Sequence, residues 1–337
     1  MSPSPGSALL RTQPFIAADV GGTHARIALV QAEGYSSVSV LQYRQYICAE
    51  HPSLAAILRD FAATCGTTEP LHAAVAIAGL IDGDRLINTN LPWQVLRSQT
   101  WRDAGLQHLA LINDFEAVAC AMPRIDPAAI TLLCGPTQVA LSGPTLVIGP
   151  GTGLGAAVRL PGTPPTILPT EAGHAALAPS TPRELELLRH LLQRWPHIDN
   201  ERVLSGPGLL NTYTALCELD GVTPRLHAPA DIAIAAQRGD DDAQAIEALQ
   251  LFCSLLGSLT GDLALMFGAK AVYLAGGIPA QIKPFLMASD FSARYRNKGA
   301  LGEMLARVPV WLIEHGQLGL IGAAAWYLEH HGTDSNA

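Results

Sequence analysis

Charge is scarce in this chain, and none of it is in basic excess. Asp, Glu, Lys and Arg together make up 15% of the 337 residues, with 21 basic against 29 acidic side chains and a net charge of −8. A nucleic-acid surface needs a basic face, and anionic lipid attracts the same sign of charge, so neither partner fits this balance. The six cysteines include no Cys-x-x-Cys pair. Their scatter supports neither a zinc site nor a disulfide framework, and free thiols in a reducing cytoplasm are expected. Long unbroken apolar runs are also missing. The most apolar stretch, 251–267, is interrupted by Ser, Gly and Asp262 and reads as a buried core helix rather than a membrane span. The opening Met1-Ser-Pro-Ser-Pro-Gly-Ser7 has neither a basic start nor an apolar core, so a short disordered tail is expected there instead of a signal peptide.

What is present is a repeated pattern. Phe15-Ile-Ala-Ala-Asp19-Val-Gly21-Gly22-Thr23-His24-Ala-Arg26 and Thr145-Leu-Val-Ile-Gly149-Pro-Gly151-Thr152-Gly153-Leu-Gly155 share one plan: an apolar run, a glycine turn carrying Thr, and a second apolar run. Two such β-hairpins imply two related halves. Glycines let successive backbone N–H groups converge on an anion, Thr hydroxyls add donors, and Arg26 could add a charged one. No Lys-Ser or Lys-Thr follows either turn, which excludes a Walker loop, and the strand-like sequence after each turn argues against a dinucleotide fingerprint.

The rest of the chain alternates strand and helix patterns. Strands are expected over 37–43, 71–77, 109–112 and 271–275. Helices are expected from Ser53, from Phe115 and over 181–195, 206–216, 241–267 and 318–330. Residues 161–170, rich in Pro and Thr, read as a loop. The class is α/β. Nearly half the residues are apolar, ample for two domains of ordinary size.

Several polar residues interrupt this frame. Asp114, beside Asn113, follows a buried strand at its carboxyl end, where ligands bind in α/β folds. Its carboxylate could take a proton from a hydroxyl, and the same residue type also suits a helix N-cap. Glu171-Ala172-Gly173-His174 sets a carboxylate and an imidazole three residues apart. A metal site would need further ligands of recognisable spacing, whereas binding to a polyhydroxylated ligand needs none. Glu201 alone reads as a solvated charge.

Taken together, Asp19-Val-Gly-Gly-Thr23, Ile112-Asn-Asp-Phe115, Gly149 to Gly155, Glu201-Arg-Val-Leu-Ser-Gly-Pro-Gly208 and Ala275-Gly-Gly277 occur in an order that resembles the bacterial ATP-dependent glucokinase family, within the hexokinase/actin/Hsp70 superfamily. The likeness runs from about residue 15 to 329. It implies a two-domain actin-like (ribonuclease H-like) fold with a duplicated, hairpin-led βαβ core and an interdomain cleft. The smaller domain would be residues 1–113 plus 317–337 and the larger 114–316, with tails at 1–14 and 332–337 disordered.

The resemblance also implies roles. Asp114 would be the general base for the sugar's 6-hydroxyl. Asn90, Asn113, Gly153, Glu171, His174 and Glu201 would bind D-glucose with it. Gly21, Gly22, Thr23, Gly151, Thr152 and Gly153 would surround the ATP phosphates, Gly276 and Gly277 the adenosine, and Asp19 would hold Mg²⁺ through water. A cytoplasmic enzyme with no nucleic-acid or membrane partner follows, with a family tendency toward a homodimer and a monomer equally compatible with the residues. Two positions depart from the family pattern: His24 stands where Asn is usual, and Ala172 where Gly is usual. Rival expectations are a kinase for another hexose or an amino sugar, and a sugar-responsive regulator on the same fold. The absence of basic character before Asp19 disfavours the regulator.

Overall fold

In the computed structural model of the protein, residues 13–33, 37–67, 69, 71–88, 91–137, 142–239, 241–314 and 316–331 are described. The expected tails, apart from residues 13 and 14, lie outside that set, as does Asn90. The chain divides into two compact units, one formed by the residues up to Asp126 and from 315 onward, the other by Pro127–Glu314.

The first unit is organised by a five-stranded sheet. Strands β1 (Phe15–Val20), β2 (His24–Glu33), β3 (Ser37–Ile47), β4 (His72–Ile77) and, beyond a small sheet of β5 (Leu80–Asp82), β6 (Arg85–Ile87) and β7 (Val95–Leu96), β8 (His108–Asn113) assemble in the order β3-β2-β1-β4-β8. The first three strands run antiparallel and the last two join parallel to β1. Alternation along β1 sorts its side chains by face, as a period of two requires. Ile16, Ala18 and Val20 pack in a core with Ile57, Leu58 and Phe61 of helix α1 (Leu54–Thr64). Phe15 and Ala17 point to the other side, against Leu320, Ala323 and Tyr327 of the terminal helix (Leu318–His331). Asp19 continues the second series, so the only charged residue of β1 faces the start of the terminal helix. Ser53 caps α1 through its side chain, as expected from its position.

Helix α2 (Asp114–Ala121) begins where β8 ends. It lies against the terminal helix so closely that a Cβ on Gly322 would sit 1.8 Å from the carbonyl oxygen of Ala117. That packing keeps α2 within the first unit. The chain therefore leaves this unit after Asp126 and not after Asn113.

The second unit repeats the plan. Strands β9 (Ile130–Cys134), β10 (Thr145–Pro150), β11 (Leu154–Leu160), β12 (Thr166–Thr170), β13 (Ala271–Leu274) and β14 (Val310–Ile313) form the order β12-β11-β10-β13-β14-β9. Remove β9, and each sheet is an antiparallel three-strand meander whose first strand continues into two parallel neighbours. Strand β12 corrects the loop expected over 161–170. It pairs with β11 on one side only, and an edge strand tolerates Pro169 opposite Ala157 because no ladder beyond needs its missing N–H.

Helices α3 (Pro182–Leu191), α4 (Gly206–Leu219) and α5 (Ala243–Met266) cover this sheet. By length and composition α5 could cross a membrane, but 67% of its apolar window is buried inside the unit. Cβ atoms on its Gly257 and Gly261 would meet the carbonyl oxygens of Phe291 and Tyr295 at 2.3 and 2.4 Å, so both glycines serve a close crossing with the short helix Phe291–Arg296.

Candidate active site

Polar residues of the first unit gather at the carboxyl edge of its sheet. Register pairs Asp19 with Ala76 and Ala76 with Ile112, which puts the ends of β1, β4 and β8 in one row about 10 Å across. Asn113 and Asp114 follow at the end of that row. The helix cap is Asn113, whose Oδ1 accepts from the backbone N–H groups of Phe115 and Glu116 at 2.9 and 3.2 Å. Its Nδ2 donates to the carbonyl of Gly79 at 3.2 Å. Asp114 is the first residue of α2, and its Oδ1 lies 3.0 Å from the N–H of Phe115. The cap is therefore Asn113, and the Asp114 carboxylate accepts from the same Phe115 N–H.

Asp19 pairs with Arg26 at 3.3 Å. Arg26, which the sequence offers as a donor to phosphate, is thus engaged by its cross-strand neighbour. Burial pushes the Asp19 carboxyl above the ordinary carboxylate range, and the guanidinium beside it only partly offsets this. A Cβ on Gly319 would lie 2.5 Å from Asp19 Oδ1, so the first turn of the terminal helix comes directly against the carboxylate. In the adjacent turn Gly21 N–H donates to His24 O at 3.0 Å, and Cys48 N–H holds the carbonyl of Thr23 at 2.9 Å. The tip at Thr23 is exposed.

In the second unit, Gly151, Thr152 and Gly153 form the corresponding turn. Gly151 N–H donates to Gly153 O at 2.7 Å, and Gly206 N–H, at the start of α4, donates to Gly151 O at 2.8 Å. Gly276 and Gly277 are exposed just after β13. Gly276 has φ of +91°, and a Cβ there would be 2.6 Å from Pro150 O, so both its conformation and its proximity to the hairpin require glycine.

Glu201 ties this turn to a second one. Its Oε2 accepts from Leu154 N–H at 2.8 Å, and its own N–H donates to Gly173 O at 2.9 Å. Asn200 adds a bond from Nδ2 to Ala172 O at 3.1 Å. The result brings Gly153, Glu171, His174 and Glu201 into one cluster, although Glu201 is far along the chain from Gly153. Glu171 and His174 are exposed, with Nε2 of His174 4.0 Å from Glu171 Oε2 and its Nδ1 3.6 Å from Asp199 Oδ2.

Comparison with known proteins identifies the family and the fold. The glucokinase family profile matches residues 16–330. A glucokinase from Nitrobacter hamburgensis is 39% identical over 92% of this chain and 96% of its own length. The chain belongs to the glucokinase family. A glucokinase-like protein of Xylella fastidiosa (strain Temecula1) is 45% identical over 99% of this chain and all of its own. The crystal structure of a glucokinase from an Antarctic psychrotroph superposes with a TM-score of 0.81 at 33% identity, covering 93% of this chain and 98% of that one. The fold is accordingly the actin-like two-domain one of the glucokinases, and the repeated strand order is its internal duplication.

Within this glucokinase-family chain, the two departures from the usual motif acquire physical meaning. Ala172 lies in a 3₁₀ turn, Ala172–His174, whose backbone any L residue adopts, and it packs on the core of the second unit. The position with no room is Gly173, where a Cβ would be 2.3 Å from Leu154 O, and there the glycine is kept. His24 opens β2, and it is its carbonyl, which any residue would supply, that closes the first turn.

No group of three or more His, Cys, Asp or Glu side chains suited to a metal occurs among the described residues. Asp19 alone fits Mg²⁺ in a looser way. One oxygen faces Arg26, and a hydrated Mg²⁺ held mainly by phosphates needs only one or two carboxylates from the protein. Sequence reasoning did not single out Asp199, Asn200 or Gly319. Asp199 and Asn200 are buried polar residues directly before Glu201, and that adjacency was the available signal.

Proposed function

We propose that the protein is a cytoplasmic ATP-dependent hexose kinase that transfers the γ-phosphoryl group of ATP to the 6-hydroxyl of D-glucose, giving glucose 6-phosphate and ADP. The observation that carries this reading is the junction of β8 and α2. There Asn113 caps α2, and the Asp114 carboxylate follows at the carboxyl edge of the sheet, where ligands bind in α/β folds. Asp114 is the general base in this account, accepting the 6-hydroxyl proton as that oxygen attacks phosphorus.

Glu171, His174 and Glu201, with Asn113, Asn90 and the backbone at Gly153, bind the remaining hydroxyls and fix the sugar's orientation. The second-unit cluster held by Glu201 supports that assignment. Gly21, Gly22 and Thr23, and Gly151, Thr152 and Gly153, surround the phosphates, with Gly276 and Gly277 at the adenosine. Asp19 holds Mg²⁺ through water, and the bound ion supplies neutralisation of phosphate charge. Phosphoryl transfer depends on such positioning and neutralisation more than on covalent chemistry.

The test is a coupled ADP-release assay with ATP and a panel of glucose, mannose, fructose, N-acetylglucosamine and N-acetylmannosamine, followed by ³¹P NMR of the product. Highest kcat/KM on glucose, with phosphate on O6, is the expected outcome. A higher kcat/KM on an amino sugar would transfer the same machinery to that substrate, and no turnover of any hexose would overturn the proposal.

A further inference from the structure

Behind the exposed ring of His174 stands a carboxylate that the sugar-binding account does not use. Asp199 Oδ2 is 3.6 Å from His174 Nδ1, and the Asp199 side chain is 13% exposed against 61% for the imidazole. Its other oxygen, Oδ1, accepts from the backbone N–H of Arg202 at 2.8 Å, and the backbone pairs with Ala176 in an isolated bridge. Arg202 Nε lies 4.0 Å from Oδ2. On the far side of the ring, Glu171 Oε2 is 4.0 Å from Nε2, on a side chain that is 52% exposed. His197 completes the surroundings, its Nε2 3.2 Å from the His174 carbonyl.

We propose that Asp199 is a positioning residue that holds His174 with its proton on Nδ1, directed at Oδ2, so that Nε2 presents a lone pair to a sugar hydroxyl. The proposal rests on the sugar-binding reading of His174 given above. The two flanking carboxylates compete for the imidazole proton, and burial decides between them. Asp199 is anchored at both its backbone and Oδ1 and has little water to screen it, whereas Glu171 is half in solvent and free to swing toward a ligand. The exposed ring needs only a small rotation to shorten 3.6 Å to a hydrogen bond. A neutral histidine takes its tautomer from the partner of its other nitrogen.

The anchoring of Oδ1 makes the proposal sharp. In Asp199→Asn the Arg202 N–H still requires an acceptor, so the amide oxygen stays there and the NH₂ group turns to His174. An N–H donor facing Nδ1 drives the proton to Nε2, which changes the sugar-facing atom from acceptor to donor. The same exchange inverts the tautomer in the serine-protease triad.

Two measurements test this. The first is ¹⁵N NMR of the full-length, histidine-labelled protein without substrate, with His174 assigned among the 11 histidines by comparison with His174→Gln. The expected result is the Nδ1–H tautomer in the wild type and Nε2–H in Asp199→Asn. The second is steady-state kinetics, where Asp199→Asn should raise KM for glucose about tenfold and move kcat and the ATP KM far less. An Nε2–H tautomer in the wild type overturns the proposal even if the variant does not fold. A folded Asp199→Asn with wild-type KM for glucose overturns it as well. Wild-type protein that phosphorylates no hexose removes the kinase reading, while the tautomer, which needs no substrate, still decides the Asp199 contact.

Discussion

At Gly153 a single added methyl carbon would lie 2.5 Å from Oε2 of Glu201, the oxygen that receives the Leu154 N–H. Gly153→Ala must therefore push the Glu201 carboxylate out of its place. Removing a hydrogen bond to a charged group costs about 1.5–3 kcal/mol, so in Glu201→Ala, which keeps the glycine turn assigned to the phosphates, KM for glucose is expected to rise about tenfold or more in steady-state assays, with the ATP KM nearly unchanged. Equal loss of ATP affinity would move Glu201 to the nucleotide side. Asp19 gives a different signal. Because its carboxyl binds a proton more tightly in the fold than in the unfolded chain, its contribution to stability is greatest below the ordinary carboxylate range. That contribution falls as pH rises toward the raised value and is constant above it. Asp19→Asn removes the buried charge, so its Tm should exceed the wild type's at pH 7, with the gap closing on acidification and phosphoryl transfer impaired. A lower Tm at pH 7 would contradict the dominance of burial over the Arg26 pair.

Elements carry the residues into place, and here the sequence was informative to different depths. Both hairpins, helix α5 and the terminal helix are legible because glycine turns and long apolar patterns are strong local signals. Strand β12 was hidden by Pro169, since the tolerance of an edge strand for proline depends on neighbours the sequence does not show. Strand β14 and the short helices between Gly277 and Leu305 went unread because none is long enough to show a period. Asp114 was assigned a possible capping role that belongs to Asn113, a one-residue distinction set by backbone geometry at the end of β8. Helix packing also yields tests. A Cβ at position 322 meets Ala117 O, so Gly322→Ala should cost at least the roughly 1–3 kcal/mol of overpacking, read by urea unfolding, and should lower kcat by shifting the start of α2. Unchanged stability would mean the two helices are less tightly seated. In α3, Glu184 is 1% exposed and combines a capping box with an ion pair to Arg294. Burial alone would raise its carboxyl, but the Arg294 guanidinium and the backbone N–H groups of Ser180 and Thr181 leave it below the usual range. Glu184→Ala leaves the arginine with no carboxylate partner at this position and should destabilise by about 3–5 kcal/mol, without a change in KM for glucose if the protein is assayed well below its Tm.

The whole molecule is a duplicated fold in which a glycine turn joins β1 to β2 in one unit and β10 to β11 in the other. A ligand that binds only the folded state stabilises it by mass action, about 2.7 kcal/mol at a hundredfold excess over Kd. Glucose should raise Tm in proportion to saturation, and 6-deoxyglucose should do the same without being phosphorylated, because its remaining hydroxyls are those assigned to Glu171, His174 and Glu201. The most direct test of the account is the rate of glucose 6-phosphate formation by Asp114→Asn beside the wild type, at saturating ATP, Mg²⁺ and glucose. The account predicts a fall of about 10²–10⁴-fold in kcat with Tm and glucose-induced stabilisation retained. Near-wild-type turnover by the folded Asn variant would contradict it.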